Sequence, residues 1–98
     1  MQAPALETGA ALSLVDVLDL KAAGPLHGEI LACRGQDLTL DASEVRRLGA
    51  QCLQVLAAAA SAWRADGKTL RVDRPSSAFT QALQAFGVEG GLLKEPHA

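Results

Sequence analysis

Aromatic residues are scarce in this 98-residue chain: one Trp, two Phe and no Tyr. With a net charge of −2, that leaves no basic, aromatic-laced surface of the kind that tracks nucleic acid. No apolar run approaches the roughly 20 residues that a membrane span requires, so no direct membrane insertion is expected. The two cysteines, Cys33 and Cys52, have no metal-ligand spacing. A Gly-rich phosphate loop is missing too, since Gly90-Gly91 is an isolated pair. His97 stands far along the chain from any nucleophile, and His27 lacks a second ligand at helical spacing, so it reads as a surface histidine. Asp41 and Glu44 flank a turn, with no group for a general acid and base to act on. Neither catalysis nor a cofactor nor a metal is therefore expected.

What the chain does have is apolar content and order. Hydrophobic residues make up 49% of it, enough to fold, and its length suits one small domain. Residues 1–10 have no periodicity and read as a disordered tail, residues 11–93 as the domain, and residues 94–98 as a second tail. The start of the chain has neither the basic residues nor the apolar core of a secretory signal. A cytoplasmic location is expected, where both thiols would stay reduced.

The centre of the chain, Asp37 to Asp73, reads strand, turn, long helix, strand. Leu38, Leu40 and Ala42 alternate with Thr39 and Asp41, as on a pleated strand. From Leu48 the period becomes helical: Leu48, Cys52, Val55, Leu56, Ala59 and Trp63 form one stripe that belongs against a sheet. Cys52 on that stripe reads as a buried structural thiol. Asp66-Gly67 stops the helix, and Leu70 and Val72 mark the returning strand. Strand, helix and strand at this length form a parallel βαβ unit.

Around this unit the signals are shorter. Ala11 to Leu18 is a strand candidate of uncertain register, and Pro25 suits the first turn of a short helix carrying Leu26, Ile30 and Cys33 that ends near Gly35. Pro75-Ser76-Ser77 announces a further helix, with Phe79, Ala82, Leu83 and Phe86 as its stripe and Gly87 as its end. Val88 to Leu93 reads as a short apolar flap.

The outward face of the long helix carries the functional signal. Ala50, Gln54, Ala57, Ala58, Ser61 and Ala65 point away from the stripe, and no charged residue occurs between Gly49 and Trp63. Two readings of that face stay open. Alanine is simply the best helix former. Alternatively, small uncharged side chains form a docking surface, because they lose little entropy on burial.

The stretch LDASEVRRLGAQCLQVL resembles the signature of STAS domains, the sulfate transporter and anti-sigma factor antagonist family. Leu40, Asp41, Ser43, Val45 and Leu53 hold the matching positions. LRVDRPSSAFTQALQAFGV is similar to the family's next strand and helix, and Leu18-Asp19-Leu20 to its Leu-Asp step before the first helix. The resemblance covers residues 12–90 and is strongest to stand-alone STAS proteins found with bacterial chemotaxis components. It implies an α/β fold, a small mixed β-sheet of three to four strands flanked by helices in βαβ units. It also implies no enzymatic activity and a function in protein docking.

One departure bears on regulation. In the family's regulated antagonists the box carries a Ser or Thr that an anti-sigma kinase phosphorylates, and the phosphate, adding about two negative charges, blocks docking. Here the box reads Leu48-Gly49-Ala50-Gln51-Cys52-Leu53, with Gln51 at the acceptor position. Ser43 is the nearby hydroxyl, and a Ser after a strand is usually a turn or cap residue.

The expected docking surface is the turn 43–51 with the outer face of the helix 48–66. It comprises Ser43, Glu44, Arg46, Arg47, Ala50, Gln51, Gln54, Ala57, Ala58 and Ser61. The expected partner is a protein: a histidine kinase, an anti-sigma kinase or another signalling component. Chemotaxis or two-component regulation is the leading pathway. The alternatives are an anti-sigma factor antagonist without its phosphorylated Ser, and a STAS subunit of a lipid-transport ATPase complex.

Overall fold

The computed structural model describes residues 9–87. It contains five strands and three helices: β1 (Ala10–Ser13), β2 (Val17–Leu18), α1 (Leu20–Leu31), β3 (Leu38–Asp41), β4 (Arg47–Leu48), α2 (Ala50–Ala65), β5 (Leu70–Asp73) and α3 (Ser77–Ala85). β1, β3 and β5 form a three-stranded sheet in that order, and β2 pairs with β4. All three pairings are parallel, so the architecture is the expected α/β one, built from βαβ crossovers. The proposed tail before residue 9, the apolar flap over 88–93 and the tail over 94–98 lie outside the described residues.

The central unit forms for the reasons its sequence displays. Leu38 and Leu40 on β3 and Leu70 on β5 are buried, while Thr39, Asp41, Arg71 and Asp73 turn to the other face. One face of the sheet therefore takes the helices and the other is polar. On α2 the buried stripe is Cys52, Leu53, Leu56, Ala59, Ala60 and Trp63. Leu53 and Ala60 widen the stripe beyond the expected set, and Val55 is only half-buried, at the seam with α1. Each fully buried Leu stabilises the fold by about 1.5–3 kcal/mol relative to exposure. Gly67, at φ +72, ends α2 in the left-handed geometry that glycine adopts freely.

Three boundaries differ from the sequence expectation. α2 starts at Ala50, not Leu48: Leu48 belongs to β4, and Gly49 is the N-cap. Gly49 N–H donates to Leu18 O at 2.9 Å, and a Cβ on Gly49 would lie 3.4 Å from that same oxygen. The stretch Ala11 to Leu18 is not one strand. β1 begins at Ala10, inside the expected tail, and the chain then leaves the main sheet to form β2. α1 begins at Leu20, a full turn before Pro25, because the Asp19 side chain caps it by accepting from Ala22 N at 3.2 Å. Pro25 therefore lies inside the helix, and Cys33 beyond its end.

Candidate functional site

The turn between β3 and α2 is held from several sides. Asp41 ends β3, and its Oδ1 accepts from Ser43 N at 2.9 Å, closing an Asx-type turn. Its other oxygen pairs with Arg74, which stands just past β5. The bond from Arg74, then the Ser43 N–H, hold the Asp41 carboxyl at a pKa of about 2. Arg74 itself has φ +49, a left-handed backbone that non-glycine residues rarely take. Ser76, the N-cap of α3, accepts from Phe79 N at 3.0 Å and donates its hydroxyl to Val45 O at 2.6 Å. Arg46 and Arg47 are anchored through their backbones, which both donate to Asp16 O at 2.7 and 3.1 Å.

These restraints leave side chains rather than backbone on offer. Ser43, Glu44, Arg46 and Arg47 are exposed at the turn, and Arg46 makes only a loose pair with Asp16 at 3.9 Å. Ala50, Gln51, Gln54, Ala58 and Ser61 are exposed along α2. Ala57 is not fully outward as expected; it is half-buried, on the flank of the ridge. From Ala50 to Ser61 the ridge runs about 16 Å at 1.5 Å per residue. The exposed members on α2 share one face of the helix, and the four on the turn precede it in the chain.

The other flank of the ridge meets α1. A shallow groove of about 180 Å³ lies over Trp63, with Leu31, Val55, Ala58 and Ala62 along it. Its far end is closed by Arg34, which forks onto Asp66 at 2.6 and 3.1 Å and lies 5.9 Å from the centre of the Trp63 ring. Trp63 Nε1 donates to Gln36 O at 2.8 Å. These contacts tie the C-terminal end of α2 to the segment that follows α1.

The thiol beside the ridge is shielded. Cys52 is buried under the start of α2, and its thiol donates to Asp19 O at 3.2 Å. Burial, then the Asp19 charge, push its pKa up, which keeps it protonated and unreactive. Among the described residues, no three His, Cys, Asp or Glu side chains cluster as metal ligands.

A family model described as "Mlab, STAS domain" matches residues 2–94. The chain belongs to the STAS family. Comparison with curated proteins and with solved structures gives no match. STAS domains are generally non-catalytic binding or regulatory modules that interact with proteins, and this STAS domain has their α/β core. Among its described residues no helix is long and apolar enough to cross a membrane.

Several parts of the turn had no local signal. The Asp41–Arg74 pair spans 33 residues, and the Ser76–Val45 bond 31. Pro75-Ser76-Ser77 was legible as a helix start, but Ser76 was not legible as a clamp on this turn. Only the STAS-like spacing from Asp41 to Val45 marked this turn as one worth holding.

Proposed function

We propose that this STAS domain is a non-enzymatic docking module of bacterial chemotaxis or two-component signalling, working in the cytoplasm. Its partner, a histidine kinase or an associated signalling protein, meets the turn Ser43–Gln51 and the outer face of α2. The observation that carries this reading is an exposed helix face without charge, beside an exposed pair of arginines. Solvated helix faces ordinarily carry Lys and Glu. A face of Ala, Gln and Ser is matched to burial, because it strips little water and freezes few rotamers. Arg46 and Arg47 add attraction toward an acidic partner surface, which chiefly raises the association rate. With Gln51 at the acceptor position, docking is not switched by phosphate there.

The test is Ala58→Glu, on an exposed position where a charge does not disturb the core. The variant is expected to melt within about 0.5 kcal/mol of the parent. In the native cell it should spread on soft agar no better than a deletion strain and lose its crosslink to the kinase. A folded variant that swims normally and keeps every crosslink overturns the docking face. Unchanged swimming with altered sigma-dependent transcription favours an anti-sigma antagonist. Loss of co-purification with a membrane ATPase favours a transporter subunit.

A further inference from the structure

The docking turn reaches into the fold at one residue. Ser43, Glu44, Arg46 and Arg47 are exposed, while Val45 between them is buried. The peptide that joins Val45 to Arg46 is bonded at both of its polar groups. Its carbonyl, Val45 O, accepts from the Ser76 hydroxyl at 2.6 Å. Its amide, Arg46 N–H, donates to Asp16 O at 2.7 Å, in the link between β1 and β2. A peptide group is planar, so two bonds on opposite sides of it fix the whole plane. That plane sets the direction in which the Arg46 side chain leaves the backbone. Among the described residues no other donor reaches Val45 O.

Ser76 serves two elements with one hydroxyl. Its oxygen accepts from Phe79 N–H at 3.0 Å and caps α3, and its proton goes to the turn. Its own N–H donates to Ala42 O at 3.2 Å, and Val45 N–H reaches the same oxygen at 3.3 Å. Ala42 O thus seats the helix start and the turn together. The chain arrives at Ser76 through Arg74, whose left-handed backbone is one that non-glycine residues rarely take. Such a conformation persists where the surroundings over-determine it. Here they do: the Arg74 guanidinium pairs with Asp41, and the other Asp41 oxygen holds Ser43 N–H.

We infer that Ser76 is a positioning residue for docking: through the Val45–Arg46 peptide it sets where the turn's arginines stand, and so couples α3 to a surface that α3 does not form. The inference rests on the docking turn proposed above. Without the Ser76 proton, the carbonyl of a buried residue loses its partner, and the peptide turns toward water to find another. Arg46 then samples several directions, and a partner binds only the fraction of chains that hold the right one. α3 packs beside β4, which begins at Arg47, so a disturbance of the helix start reaches both arginines. The coupling is reciprocal by linkage: a partner that holds Arg46 in place also tightens the first turn of α3.

The test uses the full chain and substitutions that separate the two bonds of the one hydroxyl. Ser76→Thr keeps both. Ser76→Asp keeps the cap, because a carboxylate accepts from Phe79 N–H, but it has no proton for Val45 O. Ser76→Gly removes the same proton without adding charge, at a small loss to the cap. Leu83→Ala loosens the packing of α3 and touches neither bond. By NMR, the Arg46 amide should exchange about tenfold faster in Ser76→Asp and Ser76→Gly, while the Phe79 amide of Ser76→Asp stays as in the parent. In the native cell both variants should crosslink to the kinase about tenfold less, and Ser76→Thr and Leu83→Ala as the parent does. An Arg46 amide unmoved in both variants overturns the inference. So does a freed amide with full crosslinking, or a Leu83→Ala chain that loses crosslinking in proportion to its stability. Ala58→Glu, run alongside, separates the two readings. If it crosslinks fully while Ser76→Gly does not, the α2 ridge fails and the role of the turn stands; the reverse result keeps the ridge and sinks the coupling.

Discussion

The unit β3–α2–β5 and the segment β1–β2–α1 have the same plan, a strand that hands the chain to a helix lying on one face of the sheet. They achieve it differently. The central unit is locally consistent: clean alternation in Leu38 to Ala42, then 16 helical residues with no Gly or Pro inside. The N-terminal segment is locally weak. Its helix contains Gly24, Pro25 and Gly28, and its extended stretch is divided between two ladders. It is held by its neighbour: β4 pairs with β2, Asp16 O accepts from Arg46 and Arg47, and Arg34 and Gln36 clasp Asp66 and Trp63. A helix with poor propensity persists when an already formed surface supplies its packing.

If the central unit supports the N-terminal one, the largest effect comes from removing the shared clasp. Trp63, 1% exposed, fills the core and bonds to the loop after α1. Trp63→Ala should lose about 3–5 kcal/mol in urea denaturation, with both segments melting together. Trp63→Phe keeps most of the packing and should lose far less. A loss below about 1 kcal/mol in the Ala variant breaks the comparison.

A smaller effect, of opposite sign, lies in α1. A Cβ on Gly24 or Gly28 would meet nothing within 4 Å, and neither residue has a positive φ. Gly24→Ala and Gly28→Ala should each stabilise by about 0.5–1 kcal/mol and raise the melting temperature by several degrees. Destabilisation instead would show that the outer face of α1 needs glycine for close approach of another surface.

The smallest effect concerns acid, at the end of the central unit. The folded Asp41 carboxyl titrates at about 2, below the ordinary carboxylate value near 4. Its stabilising contribution is complete above that ordinary value and is lost as pH falls toward 2. Asp41→Asn should therefore be less stable than the parent at neutral pH, and the gap should close between about pH 4 and pH 2. The pair is exposed, so about 1 M salt should narrow the gap at every pH. The Asp66 carboxyl, held low by Arg34, should show the same sign at the other end of the unit.

The ridge was legible where it is helical. A period of 3.6 places Ala50, Gln54, Ala58 and Ser61 on one side of α2 whatever surrounds it, and the structure leaves them exposed. Ala57 lies nearer the buried stripe, and its half-burial depends on what packs beside the helix. The turn was legible as a turn, but not in its conformation. Arg47 and Leu48 are extended because β2 stands beside them, and no local pattern distinguishes two such residues from the start of a helix.

Composition and periodicity thus decided the central βαβ unit, the helix start at Pro75-Ser76-Ser77, and the uncharged face of α2, because each depends on residues a few positions apart. The β2–β4 ladder and the clamp of Arg74 and Ser76 on the turn were decided by the tertiary structure. Each of those joins residues tens of positions apart, and the backbone groups or side chains involved find their partners only when the chain has closed on itself.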